Sequence, residues 1–190
     1  MNFEINLTTF VPKMSEKIIL NSQQLQLTLR RLAHQLLEHH PNFDNTILLG
    51  VQPRGVWFAN RLVHVIKAEF GLENVPYGLL DISFYRDDVH REANIKTYKT
   101  DIEISLENKN VVLIDDVLYT GRTIRSAMDA MLDYGRPSKV ELCVLIDRKF
   151  SRHLPVQADY VGKAIDSSIS QKVKVKWKEN DEVDEIVLLN

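Results

Sequence analysis

The sequence predicts an α/β protein in which helices flank a central parallel sheet. Short apolar runs at 47–51, 111–114 and 140–146 alternate with segments whose apolar residues recur at helical spacing. Apolar runs of this length are typical of strands buried on both faces, as in parallel sheets. No repeat or linker divides the 190 residues, so we predict a single domain spanning 1–190.

The composition narrows the class of protein. Apolar residues make up 44% of the chain and charged residues 26%, which is ordinary for a globular protein. No apolar run approaches the ~18 residues of a membrane span, and the N-terminus lacks signal-peptide features, so we expect no membrane partner and a cytoplasmic location. Cys143 is the only cysteine, which excludes an internal disulfide. With a net charge of −2, any contact with nucleic acid must come from a local basic patch.

The first elements are an arm, a short strand and an amphipathic helix. Residues 1–16 have no clear period, and 17–20 predict a strand. Asn21 or Ser22 then caps a helix with an apolar stripe at Leu25, Leu29, Leu32, Ala33, Leu36 and Leu37. Its opposite, polar face carries the basic residues Arg30, Arg31 and His34, which predict a solvated helix face.

A strand, a glycine-bounded turn and a helix follow. The strand covers 47–51, the turn runs from Gly50 to Gly55, and the helix covers 56–70. The turn lacks the pattern of a P-loop, but Arg54 could hold an anion with a bidentate fork. The turn resembles the pyrophosphate loop of phosphoribosyltransferases, in which one peptide is often cis, and Pro53 fits that role because a cis bond costs little before proline. Alternatively, Arg54 is a surface arginine at the start of a helix, where a cation opposes the helix dipole.

A strand region at 75–85 leads into the most polar part of the chain. Residues 86–107 form a connection of unusual length, which is typical of a lid, a binding loop or a disordered segment. We predict a mobile lid here; a charged hairpin without a catalytic role is the alternative.

The central motif runs from Val111 to Thr123. Its buried strand, 111–114, is expected to end at two adjacent carboxylates, Asp115 and Asp116, and a helix opens at 120–123. Ligands of open α/β sheets bind at the carboxyl ends of strands, and the N–H groups of a helix N-terminus attract phosphate. The carboxylates suit hydroxyls or a cation, so the pattern fits a ribose 5-phosphate. The alternative is a strand ending in solvated aspartates before an ordinary helix.

The rest of the chain continues the alternation. A buried strand at 140–146 carries Asp147 and Arg148 at its end, where Arg148 could meet pyrophosphate or a carboxylate. Val173, Val175 and Trp177 alternate as a half-buried strand, Asn180-Asp181 marks a turn, and 186–189 is a closing strand.

Two runs carry a resemblance to a known family. The run from Asp115 to Gly121 resembles the phosphoribosyl-pyrophosphate (PRPP) motif of type I phosphoribosyltransferases. Its continuation through 128–130 and 135–138 resembles the pyrimidine operon attenuation regulator (PyrR) family, whose members are also uracil phosphoribosyltransferases. The resemblance covers roughly 17–175. It implies the type I phosphoribosyltransferase fold, with a lid at 86–107 and a small hood at 150–190.

The resemblance also implies an activity, with Mg²⁺ as cofactor: PRPP and uracil give UMP and pyrophosphate. The implied catalytic residues are Asp115, Asp116 and Arg54, and the two aspartates could also contact Mg²⁺, which binds mainly through PRPP. The implied PRPP and phosphate contacts are Pro53, Gly55, Val117, Leu118, Tyr119, Thr120, Gly121, Arg122, Thr123 and Arg148. The base would bind at Val161, Gly162, Lys163 and Ile165, through backbone groups, and the lid would begin at Tyr85, Arg86 and Asp87.

Further partners follow from the family. Its members bind pyrimidine-operon messenger RNA, for which Arg30, Arg31 and His34 are candidates, and a homodimer or larger homo-oligomer is expected. We expect Arg31→Ala to leave catalysis unchanged, because Arg31 is far along the sequence from the pocket motifs. Gln157 stands where members often carry an RNA-linked arginine, and Ile165-Asp166-Ser167 replaces the usual Ile-Pro-Thr step. An attenuator that senses nucleotides in the same pocket, or a phosphoribosyltransferase for another base, therefore stay open.

Overall fold

The computed structural model describes residues 16–87 and 97–190, which form two sheets. The strands are β1 Glu16–Leu20, β2 Thr46–Val51, β3 Tyr77–Leu80, β4 Asn110–Leu118, β5 Lys139–Lys149, β6 Tyr160–Asp166, β7 Lys172–Lys176 and β8 Glu185–Leu189. The helices are α1 Ser22–His39, α2 Gly55–Phe70, α3 Arg122–Met131 and the single turn α4 Lys178–Asp181. Short 3₁₀ turns cover Ser83–Tyr85 and Leu132–Tyr134.

The main sheet confirms the predicted fold class. Its five strands are all parallel, in the order β3-β2-β4-β5-β6, so the central motif lies on the middle strand. On one face the strands pack against the leucine stripe of α1 and the apolar side of α2; on the other they pack against α3. With both faces covered, residues 111–114 are fully buried, as a continuous apolar run predicts.

The ends of the predicted elements follow their capping residues. Asn21 caps α1 in a capping box: its side chain accepts the N–H of Gln24, and the Gln24 side chain accepts the N–H of Asn21. Gly71 ends α2 in the left-handed region, as expected of a C-terminal glycine. The strand of the central motif is longer than predicted, because its pairing with β5 continues to Leu118.

A second, antiparallel sheet forms the hood. Its strand order is β1-β8-β7, and Trp177 and Ile186 pack into the core on the α1–α2 side. The predicted hood segment, 150–190, needs correction, because β6 belongs to the main sheet and the hood recruits β1 from the start of the described chain. Pairing between Glu16 and Leu189 depends on a contact between distant residues, which no local pattern predicts.

The described half of the predicted lid lies against the main sheet. Leu79 and Asp101 exchange two backbone hydrogen bonds of 2.9 Å, and Leu106 is fully buried. The segment 97–107 is therefore attached to β3, which moves the far boundary of the predicted lid back from 107. Residues 88–96 lie outside the described residues, and the mobility of the lid stays a prediction. In the two ranges that the structure describes, no helix is long and apolar enough to cross a membrane.

Candidate active site

Two buried carboxylates lie near the carboxyl end of the central strand. Asp115 and Asp116 are only 6% and 5% exposed. Because successive strand residues point to opposite faces, the two side chains diverge. Asp116 Oδ2 accepts a 2.7 Å hydrogen bond from Arg54 Nε, whereas Asp115 Oδ1 accepts the N–H of Asp116 at 2.9 Å. The alternative of solvated aspartates at the end of a strand is therefore wrong, because the pair is buried within the strand.

Burial dominates the electrostatics of this pair. Loss of water, followed by the charge of Asp116, raises the pKa of Asp115 to about 8. Burial also raises the pKa of Asp116, although the Arg54 guanidinium opposes that rise. Two carboxyl groups that resist ionisation side by side are arranged to receive a cation or hydroxyl groups.

The turn between β2 and α2 brings Arg54 to Asp116. The Gln52–Pro53 peptide is cis, as expected from the sequence. A Cβ on Gly55 would lie 3.0 Å from Asp115 Cα and even closer to the Ile114 carbonyl oxygen, so only glycine permits this approach. The N-terminus of α2 therefore lies directly against the strand backbone that carries the two aspartates.

The loop between β4 and α3 has the features expected of a phosphate site. Gly121 is the N-cap of α3 with φ +90°, a conformation that favours glycine. The first backbone bond of α3 is Arg125 N–H to Gly121 carbonyl, 3.0 Å, so the earlier N–H groups of the helix have no helical acceptor. The Thr120 hydroxyl lies 3.4 Å from the Arg122 nitrogen, which places two predicted contacts within one turn.

The start of the predicted lid is bound to α3. Asp87 Oδ2 pairs with Arg122 at 2.7 Å and with Arg125 at 2.9 Å, which is a favourable place for an acid near a helix N-terminus. Tyr85 donates its hydroxyl to Asp133, and the Tyr85 carbonyl accepts Ser126 Oγ at 3.0 Å. The structure thus brings Tyr85, Asp87 and Arg122 together, and Arg122 is engaged by a carboxylate.

Arg148, a predicted anion contact, is used differently. It is 4% exposed, and its guanidinium stacks 4.0 Å from the Tyr119 ring centroid. It donates to Ser167 Oγ at 2.8 Å and to the Ser168 carbonyl at 2.9 Å. Its stacking and its hydrogen bonds together connect Tyr119, in the loop between β4 and α3, to the segment after β6, where the sequence departs from the family pattern.

Sequence reasoning missed Arg152. Its guanidinium donates to the Tyr119 carbonyl at 2.5 Å and to the carboxylate of Asp147. The only signal in the sequence was that Arg152 follows β5 within a few residues, in a turn whose path could not be predicted.

The predicted base-binding residues lie on β6, at the edge of the main sheet. The carbonyl oxygens of Val161 and Gly162 accept hydrogen bonds from Arg31 Nη2, at 3.0 and 2.5 Å. These two carbonyl groups are therefore already bound by a side chain. Lys163 and Ile165, the other two predicted contacts, are paired with Ile146 and Arg148 of β5. Lys163 Nζ itself donates to the Ile19 carbonyl of the hood at 3.0 Å.

The same contact removes the reason for expecting Arg31→Ala to leave catalysis unchanged. Arg31 is 130 residues from Val161 along the chain, yet hydrogen-bonded to it, so distance in sequence does not separate it from the pocket strand. Arg30 pairs with Glu69 at 2.7 Å, and the His34 ring packs edge-on against Phe70 at 4.6 Å. The three basic residues are exposed but are held by three different partners.

The donor chemistry fits Mg²⁺ as part of a complex with phosphates. Among the residues that the structure describes, no group of three or more His, Cys, Asp or Glu could hold a metal ion. Mg²⁺ commonly uses one or two carboxylates together with substrate phosphates, which corresponds to the Asp115–Asp116 pair beside a phosphate loop.

Comparison with known proteins agrees with this geometry. The model of the phosphoribosyl transferase domain family matches residues 15–180. "Bifunctional protein PyrR" of Elusimicrobium minutum is 47% identical over 176 residues, covering 92% of this chain and 97% of the relative. The same-named protein of Actinobacillus pleuropneumoniae serotype 5b is 44% identical over 175 residues, with the same two coverages.

Solved structures share the fold. A hypoxanthine phosphoribosyltransferase from Staphylococcus aureus superposes with TM-score 0.69 at 22% identity, covering 92% of each chain. Hypoxanthine phosphoribosyl transferase of Trypanosoma cruzi gives TM-score 0.71 at 19% identity, covering 94% of this chain and 93% of the other.

Proposed function

This chain belongs to the phosphoribosyl transferase domain family, and within it to the PyrR proteins, and from that premise we propose that it transfers the phosphoribosyl group of PRPP to uracil. The products are UMP and pyrophosphate. The relatives carry the name "Bifunctional protein PyrR", and catalysis is the function that the geometry of this site supports best.

One observation carries the proposal. The buried Asp115–Asp116 pair lies between an arginine-bearing turn at 52–55 and a glycine-capped helix N-terminus at 121–122. An anion site on either side of two carboxylates matches a substrate with a phosphate at one end, pyrophosphate at the other and a ribose between them. A structural role alone would not require two buried carboxyls with raised pKa values next to each other.

The mechanism follows from charge. As the bond from C1′ to pyrophosphate breaks, positive charge develops on the ribose ring, and the negative field of Asp115 and Asp116 stabilises it. Arg54, which lies in the turn proposed to hold the pyrophosphate, donates a hydrogen bond to Asp116. The loop at 119–123 anchors the 5′-phosphate, so that remote binding energy positions C1′ against the base. The lid would exclude water from the reactive ring.

Mg²⁺ is part of the proposal. Asp115 and Asp116 would contact the ion directly or through water. When bound, it would neutralise part of the pyrophosphate charge. Asp115, whose pKa burial raises, would then ionise more readily, because a nearby divalent cation favours the carboxylate.

The decisive experiment is turnover of PRPP with a panel of bases: uracil, hypoxanthine, guanine, adenine and orotate. We expect uracil to give the highest kcat/KM, with UMP and pyrophosphate as products. Preference for another base would support phosphoribosyl transfer but show that uracil is not the substrate. No turnover with any base would overturn the proposal.

RNA binding is the second candidate, favoured by the relatives' name and by the exposed basic residues of α1. Gln157 weighs against it, because it supplies no charge. A gel shift with a pyrimidine-operon transcript at low salt tests it, and a steep loss of affinity with added salt would identify phosphate contacts.

A homo-oligomeric state and a cytoplasmic location stay predictions. Size-exclusion chromatography with light scattering tests the oligomeric state.

A further inference from the structure

Arg152 lies beneath the loop at 119–123, called the phosphate loop below because of its proposed role. Nearly all of its N–H donors are hydrogen-bonded. Nη1 lies within hydrogen-bond distance of the Leu118, Tyr119 and Arg148 carbonyls, at 3.3, 2.5 and 3.0 Å. Nε donates to the Val156 carbonyl at 3.1 Å, and Nη2 binds the carboxylate of Asp147. The guanidinium thus joins the end of β4, the end of β5 and the turn at 152–156.

The neighbouring peptide is held by the same turn. The Thr120 carbonyl accepts the N–H groups of His153 at 3.0 Å and Leu154 at 3.2 Å. A Cβ on Gly121 would lie 3.2 Å from Val156 Cγ2, so the turn and the loop are also in close van der Waals contact. Two successive carbonyls of the loop, at Tyr119 and Thr120, therefore point toward the 152–156 turn.

The direction of these carbonyls fixes the direction of the next N–H groups. In a planar trans peptide the C=O and the N–H point in opposite directions. The N–H groups of Thr120 and Gly121 consequently point away from Arg152. Successive backbone N–H groups turned to one side form an anion-binding concavity, which here leads into the first turn of α3.

We propose that Arg152 is a positioning residue for phosphate binding: it holds the loop carbonyls so that the N–H groups of Thr120 and Gly121 face the 5′-phosphate of the substrate. This inference rests on the proposed function, since it assigns the phosphate of PRPP to this loop. Arg152 acts through the backbone and does not touch the substrate, which distinguishes it from Arg54 and Arg122.

Arginine is required for geometric reasons. Its five N–H donors lie in a planar fork, which matches acceptors on three segments at once. Lysine offers one small ammonium on a flexible stem and cannot span the Val156 and Tyr119 carbonyls together. A charge-conserving change at 152 should therefore damage the loop nearly as much as removal of the charge.

The test compares Arg152→Gln and Arg152→Lys with Arg61→Gln. Arg61 is a matched control, because it also joins several groups, Glu179 and Asp184 in the hood, without contact to the phosphate loop. Binding of ribose 5-phosphate is measured by calorimetry, KM for PRPP and for uracil by steady-state kinetics, and thermal unfolding for each variant.

Both changes at 152 should weaken ribose 5-phosphate binding and raise the KM for PRPP by about tenfold, the scale of misplaced binding groups. The KM for uracil should change less than about twofold, and Arg61→Gln should lower the melting temperature without this selectivity. Unchanged phosphate affinity in Arg152→Gln, or an equal loss in Arg61→Gln, overturns the inference. If Arg152→Gln does not fold, Asp147→Asn, which removes the acid that orients Arg152, should raise the KM for PRPP in the same direction.

An independent readout separates this inference from the proposed function. Hydrogen exchange of the Thr120 and Gly121 amides should change between wild type and Arg152→Lys whether or not PRPP is turned over. Absence of turnover in the wild type would overturn the function, whereas unchanged exchange at these two amides would overturn the role of Arg152.

Discussion

The two ends of the main sheet each bury a cluster of ionisable groups, and they differ in how those groups are paired. At the carboxyl end, Asp115 and Asp116 are both buried, and Arg54 donates a hydrogen bond to Asp116. At the amino end, Glu141 on β5 approaches His40 at 2.8 Å and accepts from Lys139 at 2.8 Å.

The carboxylate of the amino-end cluster is surrounded by a cation, an imidazole and a hydroxyl group. His40 Nδ1 lies 3.0 Å from Thr46 Oγ1, and the Tyr160 hydroxyl donates to Glu141 at 3.3 Å. Burial alone would raise the pKa of Glu141, but Lys139 and His40 outweigh it and hold the pKa below its ordinary value. The carboxyl-end pair has its pKa values raised.

The difference separates a structural cluster from a binding site. The carboxylates of both clusters are buried to a similar extent, so low exposure alone does not identify function. The distinguishing property is charge that the protein leaves uncompensated, because a ligand or metal ion can then compensate it. The opposite pKa shifts at the two ends make the distinction measurable.

The largest expected effect is on catalysis. Asp116→Asn should lower kcat by on the order of 10²-fold, the scale of losing one preorganised charge at a transition state. Glu141→Gln, assayed well below its melting temperature, should retain activity per folded molecule. Full activity of Asp116→Asn with PRPP and uracil, or a matching loss in Glu141→Gln, would contradict the assignment of the two ends.

The next effect is on stability at the amino end. Glu141→Gln leaves His40 without its buried partner, so we expect a loss on the order of 3 kcal/mol in the free energy of unfolding. Because folding lowers the pKa of Glu141, its stabilisation is present above its unfolded pKa and lost as pH falls through the folded value. Denaturant unfolding from neutral to acid pH measures this. The exposed Glu103→Gln is the control and should stay within about 0.5 kcal/mol of wild type.

Sequence reasoning predicted the carboxyl end better than the amino end, for a physical reason. The Asp115–Gly121 run is contiguous, so its residue types can be recognised together in the sequence. The buried strand that precedes it has a clear apolar pattern. The amino-end cluster joins His40 to Glu141 and Tyr160, and the hood joins β1 to β8. These are contacts between residues more than 100 positions apart, which periodicity and local motifs do not encode. Arg152 was missed although its partners lie at most 34 positions away, because they meet it in a turn whose path no local motif encodes.

A smaller effect concerns Asp115, with the opposite dependence on pH. Its folded pKa of about 8 lies well above the ordinary value for an aspartate, so the folded state keeps a proton that the unfolded state loses. Stability of the wild type therefore falls as pH rises between these values. Asp115→Asn removes that loss and should raise the melting temperature by about 3 °C or more near pH 8, with the gain shrinking toward pH 4.

That gain should accompany reduced turnover, because the carboxylate that destabilises the fold is the one that the substrate needs. Thermal scans at several pH values without PRPP or Mg²⁺ measure it. If Asp115→Asn melts below wild type at every pH, Asp115 stabilises the fold and has a structural role like that of Glu141.

The smallest expected effect tests the strand that connects the two ends. β6 begins at Tyr160, in the amino-end cluster, and continues through Val161 and Gly162, whose carbonyls Arg31 holds, toward the predicted base contacts. Loss of Arg31 removes two charge-assisted hydrogen bonds at an exposed position, so Arg31→Ala should raise the KM for uracil by about threefold, less than a buried bond would give. Arg30 is the matched control, because its partner Glu69 lies on α2 and contributes little at the surface. Steady-state kinetics with saturating PRPP separate the two: Arg30→Ala should leave the KM for uracil unchanged, and kcat should change in neither variant. The contrary outcome is that both variants show the same KM for uracil and both lose affinity for RNA. Arg31 would then belong to a basic RNA-binding surface, and β6 would be positioned by the sheet alone.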